Sequence, residues 1–455
     1  MVFPGSMGAA AVRRRLDPAG LLLFSGVLAG AAVLAFGALE RPSLALLVAV
    51  AGSAVAVFLL RTDLALLLVV AAAPLEGAFA SGPGGISITK LTGGLCFASF
   101  ALSLARGRRL LVFERGQALV LGILGLAMVS TLHARDTSAA LTTTTRYASF
   151  AAVYLIFTQL GHDRVLQRRI VWTLAVASSV AAGLGLHEYL SGKQTLATLA
   201  HANQNDFAFM LATSLPLMFV LLSGPKLLRP LVLGAIGLVS AAILLSLSRG
   251  ALVGIGAGFL LFLVTDRRRW QLTLATGVLA TVGTLLVIHS NPQRFQEALL
   301  LKQQVAHQNV STRFGAWVAA GRLVADHPLL GVGPGNFQFY YNKLTGQPVG
   351  TFTLTVAHNA LLDIGAELGL LAMCLLALYL VLAFVRLTAC LEHGYGDSSF
   401  VQALRISLLI AIVSAMFLSE QYFLPFWLLG GLASAIWIDS RRAAEEAGWP
   451  VRESG

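Results

Sequence analysis

Long apolar stretches separated by short polar breaks run through almost the whole chain. They fall near residues 20–38, 43–60, 62–79, 89–105, 117–132, 145–160, 170–188, 206–222, 230–247, 250–265, 271–289, 358–385, 403–418 and 423–438. Most approach the ~20 residues that an α-helix needs to cross a bilayer core. The apolar positions are continuous rather than alternating, which predicts helices and excludes the short alternating strands of a membrane barrel. The expected fold class is therefore an all-α polytopic membrane protein with about 12–14 transmembrane helices. The run at 62–79 holds Pro74, and the run at 206–222 opens on polar residues, so either could be a partial or re-entrant piece.

Composition agrees with this pattern. Of 455 residues, 57% are hydrophobic and only 12% charged, against about 25% charged in soluble domains. The net charge of +11 is spread over clusters at 13–15, 106–115, 164–169, 226–229, 267–269, Arg386 and 441–442. These clusters fall at every second loop if both termini are cytoplasmic, as the positive-inside rule requires. The excess charge is thus a topology signal, and no soluble basic surface exists for nucleic acid. The basic N-terminus before a long apolar run reads as a retained signal-anchor helix. Cys96, Cys374 and Cys390 lie in or beside apolar runs without paired spacing, so they suggest neither a disulfide framework nor a metal site. No nucleotide-binding loop or zinc signature is present, and no cofactor or metal is expected.

The expected organisation is an N-terminal helix bundle over 1–289, an outer loop over 290–357, C-terminal membrane helices over 358–440, and a cytoplasmic tail over 441–455. The outer loop reads as two short amphipathic helices, RFQEALLLKQQVAHQ and STRFGAWVAAGRLVADHP, followed by the glycine-rich LLGVGPGNFQFYYNK. Ser311 or Thr312 could cap the second helix, and Pro328 marks its end. Phe314, Trp317 and Val318 form a stripe that could lie on the membrane interface or on the protein. The glycines suit either a plain connector or a flexible edge beside a substrate groove.

Arginines on the outer side are conspicuous because topology does not explain them. Arg249 stands in SLSRG between two apolar runs, Arg146 opens RYASFAAVYLIF, and Arg313 lies in the outer loop. Guanidinium groups suit phosphates and keep their charge in poorly hydrated sites, although an interfacial arginine can equally reach toward lipid headgroups. His358, at the head of AHNALLDIGAELGLLA, is a candidate general base, favoured in the neutral form by a helix N-terminus. Asp363 and Glu367 share a helical face and read as links to neighbouring helices, and Glu420 reads as structural. In HANQND, His201, Asn203 and Asn205 suit sugar hydroxyls, while Asn205 or Asp206 could instead cap the helix that follows.

Together, Arg-Gly at a span boundary, R-x-x-x-W and P-x-x-G-x-G-x-x-x-F in the loop, and H-N with E-x-G nine residues on resemble the O-antigen ligase and polymerase superfamily over about residues 200–370. The resemblance implies a membrane glycosyltransferase of the GT-C type, working on the periplasmic side of the bacterial inner membrane without a metal. The donor would be a glycan on undecaprenyl pyrophosphate. The acceptor would be a sugar hydroxyl of lipid A–core for a ligase, another lipid-linked repeat for a polymerase, or a protein hydroxyl in relatives. His358 would activate the acceptor, Arg249 with Arg313 or Arg146 would hold the pyrophosphate, and Asn359, His201, Asn203 and Asn205 would contact glycan or acceptor. Direct displacement would invert the anomeric centre. A lipid-linked glycan flippase is the non-enzymatic alternative. It would place ionisable groups deep within spans, whereas here they gather at the outer mouths.

Overall fold

The structure is a computed structural model that describes residues 52, 54–79, 87–107, 111–265, 270–345, 356–418, 421 and 423–446. All regular structure among the described residues is helical: α1 (Thr62–Phe79), α2 (Ile88–Ala105), α3 (Arg115–Thr131), α4 (Thr137–Leu160), α5 (Arg164–Leu190), α6 (Gln204–Val220), α7 (Arg229–Ser246), α8 (Arg249–Thr265), α9 (Trp270–Ser290), α10 (Pro292–Asp326), α11 (Phe337–Thr345), α12 (Ala360–Leu368), α13 (Leu370–Glu392), α14 (Ser398–Ala415) and α15 (Leu424–Glu446). Seven described helical segments are long and apolar enough to cross a membrane: Thr62–Phe79, Ile88–Ala105, Arg164–Leu190, Gln204–Ser223, Lys226–Ser246, Leu370–Glu392 and Ser398–Ala415. Shorter apolar helices lie at Arg115–Thr131, Arg249–Thr265 and Thr281–Ser290. The chain is an all-α multi-pass membrane protein. The apolar run at 20–38 and Glu420 lie outside the described residues.

The chain forms two compact units. In the smaller, residues 1–65 with 98–110, the Ser99 hydroxyl donates to Thr62 Oγ1 and to the Leu59 carbonyl. The larger, residues 66–97 with 111–455, holds every candidate site residue. Its centre is aromatic. Tyr379 stacks on Trp427 and meets Tyr154 edge-on, each at 5.5 Å between ring centroids. The Tyr379 hydroxyl donates to the Phe426 carbonyl at 3.1 Å, which supplies the partner that a buried phenol needs. At one end of this packing, Arg386 pairs with Glu114, and both side chains are almost fully buried. Glu114 also caps α3, accepting from the Gly116 amide.

Two features of the fold position the site. The first is a stripe of small residues on α8. Gly250, Gly254 and Gly258 recur every fourth residue and face α14 and the turn that follows it. A Cβ on Gly254 would run into Ser414 Oγ and the Ile410 carbonyl, and one on Gly258 into Ile410. Small residues at this spacing let two membrane helices approach closely, where packing rather than water exclusion drives association. Ser414 Oγ donates to the Gly250 carbonyl at 3.2 Å and ties the two helices together.

The second is the long segment expected as an outer loop, which differs in its helices from the expectation. Its two amphipathic pieces form one helix of 35 residues, α10. No proline interrupts Pro292–Asp326, so nothing forces a break at Ser311 and Thr312, which are interior positions rather than caps. The C-cap is His327, immediately before Pro328. The face of α10 that packs on protein is Ala316, Ala319, Ala320 and Leu323, which joins Val332, Phe337, Tyr341, Ala357 and Ala366 in a small core. Phe314 and Val318 are exposed.

The apolar run at 358–385 also differs. It breaks at Gly369 into the nine-residue α12 and the membrane helix α13. Gly369 has φ 90° and ψ 172°, a conformation closed to side-chain-bearing residues. The break is fastened from outside, because the Leu370 amide donates to the Pro328 carbonyl at 2.8 Å. His358, Asp363 and Glu367 therefore belong to a separate short helix and its entry, not to the first turns of a span.

Candidate active site

Three elements converge on the turn Met416–Leu418 after α14. Arg249 begins α8, and its neighbour Gly250 is covered by Leu418 and Phe417. From α10, Arg313 donates through Nη1 to the Phe417 carbonyl at 3.2 Å, and Trp317, one turn on, meets the Phe417 ring at 6.4 Å. From the entry to α12, Asn359 Nδ2 donates to the Met416 carbonyl at 3.1 Å. One short turn thus fixes the segments carrying Arg249, Arg313 and His358.

Electrostatics show the same gathering. His358 is pushed down to about 4, first by burial and then by the Arg313 charge, so it is neutral at physiological pH. Arg313 is itself held below its ordinary value by burial and by Arg249. Lys302, which the sequence reading did not single out, is pushed down to about 8 by burial, by Arg249 and by Arg313. Eleven residues, about three turns at ~3.6 residues each, separate Lys302 from Arg313, so both lie on one face of α10. Reading this helix as two pieces hid that register.

Among the described residues only two non-glycine positions have positive φ, Leu247 at 51° and His358 at 56°. Leu247 ends α7 two residues before Arg249, and His358 precedes the N-cap of α12. Left-handed backbone at a non-glycine residue is disfavoured and clusters at functional sites. Here both instances aim the chain just where candidate chemistry begins.

The acidic residues of the motif hold this arrangement in place. Asp363 is 1% exposed and accepts from the Ala357 amide at 2.5 Å and from Gln421 Nε2 at 3.3 Å. It fixes the residue immediately before His358. Glu367, also 1% exposed, accepts from the Phe337 amide at 3.4 Å. The Glu367 and Ala366 carbonyls accept from the Gly333 and Val332 amides, each at 2.9 Å. The glycine-rich element is therefore a fastened connector and not a loose edge. Gly331, with φ 63°, lies where a Cβ would strike the Glu367 backbone. Asn336 anchors the far side, accepting from the Asp136 amide at 2.8 Å and donating to the Asp136 carbonyl at 3.2 Å.

The remaining candidates divide. Asn359 is the N-cap of α12, and its Oδ1 accepts from the Leu361 and Leu362 amides at 3.1 Å. Asn203, rather than Asn205 or Asp206, caps α6. Asn205 accepts from Ser248 Oγ at 2.9 Å, which ties HANQND to the residue before Arg249. His201 is exposed, and its amide donates to the Gly77 carbonyl at 3.1 Å. Arg146 is exposed on α4 and joins none of Arg249, Lys302, Arg313 and His358 among the described residues.

Residues 234–377 match a family model described as O-antigen ligase (Wzy_C). This stretch belongs to the O-antigen ligase superfamily. The matched region begins within α7 and ends within α13, and it contains Arg249, Lys302, Arg313 and His358. Membership supports an activity of the ligase or polymerase type. Arg146, His201, Asn203 and Asn205 fall outside the matched O-antigen ligase region. A comparison with curated proteins finds no match.

Proposed function

We propose that this chain is an O-antigen ligase that transfers a glycan from undecaprenyl pyrophosphate to a sugar hydroxyl of lipid A–core. It would act at the periplasmic face of the inner membrane, with both termini cytoplasmic. The observation that carries the reading is that the segments bearing Arg249, Arg313 and His358 are all fastened to one turn, Met416–Leu418.

In this reading the polyprenyl tail stays in lipid and the diphosphate enters between Arg249 and Arg313. Two fixed cations stabilise charge that grows on the leaving diphosphate, in a site where little reorganisation is needed. His358 accepts the proton of the acceptor hydroxyl as that oxygen attacks the anomeric carbon. In the free protein its low proton affinity makes it a weak base. A bound diphosphate offsets Arg313 and raises that affinity, so donor binding prepares the base. One direct displacement inverts the anomeric configuration, and the arginines meet the charge without a metal. Anchoring both substrates in one membrane plane aids their alignment.

The test is transfer by purified protein, with lipid-linked glycan as donor and lipid A–core competing against a second lipid-linked repeat as acceptor. Product on lipid A–core supports the ligase. Product on the lipid-linked repeat alone identifies a polymerase, and no covalent product on either acceptor removes the reading.

A further inference from the structure

The cationic group contains one more charge than a donor diphosphate carries. Arg249, Lys302 and Arg313 act on one another, and no carboxylate among the described residues offsets Lys302 or Arg313. Among the described residues, the Arg313 guanidinium donates to a neutral carbonyl, that of Phe417. Lys302 is partly buried while both of its neighbours on α10, Leu301 and Gln303, are exposed, so its side chain turns inward. Like charges gathered in a partly buried place repel and lose hydration, and that arrangement suits an anionic ligand.

The number of charges bears on which species is bound best. A glycan–diphosphate–polyprenol is a diester of diphosphate, with one ionised oxygen on each phosphorus and two negative charges. In transfer, the acceptor oxygen forms a bond to the anomeric carbon while that carbon's bond to the phosphate oxygen breaks. The electron pair of the broken bond stays on the phosphate oxygen, and the acceptor proton passes to His358. The leaving group is then a diphosphate monoester whose terminal phosphate carries a further charge near neutral pH, as phosphate monoesters do.

We propose that Lys302 is a third phosphate-contacting residue, matched to the charge that appears on the diphosphate as the glycosidic bond breaks. The two arginines answer the two charges of the donor, and Lys302 answers the third. An interaction that grows between ground state and transition state raises kcat rather than donor affinity. The lowered proton affinity of Lys302 fits this role, because the site holds this cation unfavourably until an extra negative charge arrives. The inference rests on the glycosyltransferase reading above and adds to it a residue and a division of labour.

The experiment compares wild type, Lys302→Gln and Lys302→Arg in lipid nanodiscs. It measures kcat and KM for transfer, binding of the lipid-linked glycan without acceptor, and binding of undecaprenyl pyrophosphate itself. Lys302→Gln is expected to lower kcat by about a hundredfold, the scale for losing one donor to a developing oxyanion. It should weaken undecaprenyl pyrophosphate binding by about tenfold or more and leave glycan-donor binding within about twofold. Lys302→Arg should restore both. Thermal melting of Lys302→Gln should match or exceed wild type, since the substitution relieves repulsion. Equal weakening of both ligands, or unchanged kcat and monoester binding, overturns the inference. A wild type that transfers nothing defeats the glycosyltransferase reading. A wild type that transfers, with Lys302→Gln equally active, defeats only the role of Lys302.

Discussion

Asp363→Ala separates a positioning role from a chemical one. The carboxylate is 1% exposed, and the hydrogen bonds it receives include those from the Ala357 amide at 2.5 Å and from Gln421 Nε2 at 3.3 Å. Removing it strands two buried donors at about 1–3 kcal/mol each, or roughly 2–6 kcal/mol if neither finds a new partner. The short entry to α12 holds His358 at φ 56°, a conformation that its surroundings must enforce, so it is the segment expected to give way. A shift of about 1 Å at a reacting group costs on the order of a hundredfold in rate. Asp363→Asn keeps an acceptor for the Ala357 amide. It also offers a donor to Gln421 Oε1, which is buried and has no hydrogen-bond partner among the described residues. The assay is the rate of glycan transfer by purified variants, with donor binding and melting temperature measured alongside. Asp363→Ala should lose about a hundredfold in kcat and melt earlier, with donor affinity retained because Arg249 and Arg313 are untouched. Asp363→Asn should stay within about tenfold of wild type. Wild-type kcat in Asp363→Ala, or equal damage in both variants, refutes the reasoning.

Three further outcomes are expected. The profile of kcat/KM against pH should be bell-shaped. It falls below about 4 as His358 gains its proton, and above about 8 as Lys302, beside Arg249 and Arg313, loses its own. Lys302→Arg should remove the alkaline limb, and a wild-type profile flat up to pH 10 would count against it. Gly254→Ala should lower the melting temperature and transfer together, by about 1–3 kcal/mol of stability from overpacking against Ser414 and Ile410. Gly256→Ala, with nothing within 4 Å of its Cβ position, is the neutral comparison and should behave as wild type. EDTA should leave the transfer rate unchanged, and a strict requirement for added divalent metal would contradict charge stabilisation by Arg249, Arg313 and Lys302 without a metal.

The helical, multi-pass character was legible because apolar runs report directly on burial in lipid. Arg249 and His358 stood out as candidates because charged and polar groups at the edges of such runs have no place in a lipid-facing helix. Other features depended on information carried by distant segments. The break at Gly369 is completed by a hydrogen bond from the Leu370 amide to the Pro328 carbonyl, 42 positions before Leu370. The fixing of Arg313 by Phe417 and of Asn359 by Met416 joins segments 104 and 57 positions apart. Lys302 was lost through helix length, since its register with Arg313 exists only when α10 is continuous. The GVGPGN stretch suited either a plain connector or a flexible edge because glycine permits both tightly packed and loose backbone, and its hydrogen bonds to Ala366 and Glu367 decide for the packed form.

The most direct measurement is single-turnover transfer from undecaprenyl-pyrophosphate-linked glycan to lipid A–core by wild type and His358→Ala under identical conditions, with donor binding measured for both. Wild type should form the glycosylated lipid A–core with inverted anomeric configuration. His358→Ala should bind the donor as tightly and yet form product at least about a hundredfold more slowly. Transfer by His358→Ala at the wild-type rate, with wild type itself active, would contradict a histidine-activated acceptor at the meeting point of α8, α10 and α12.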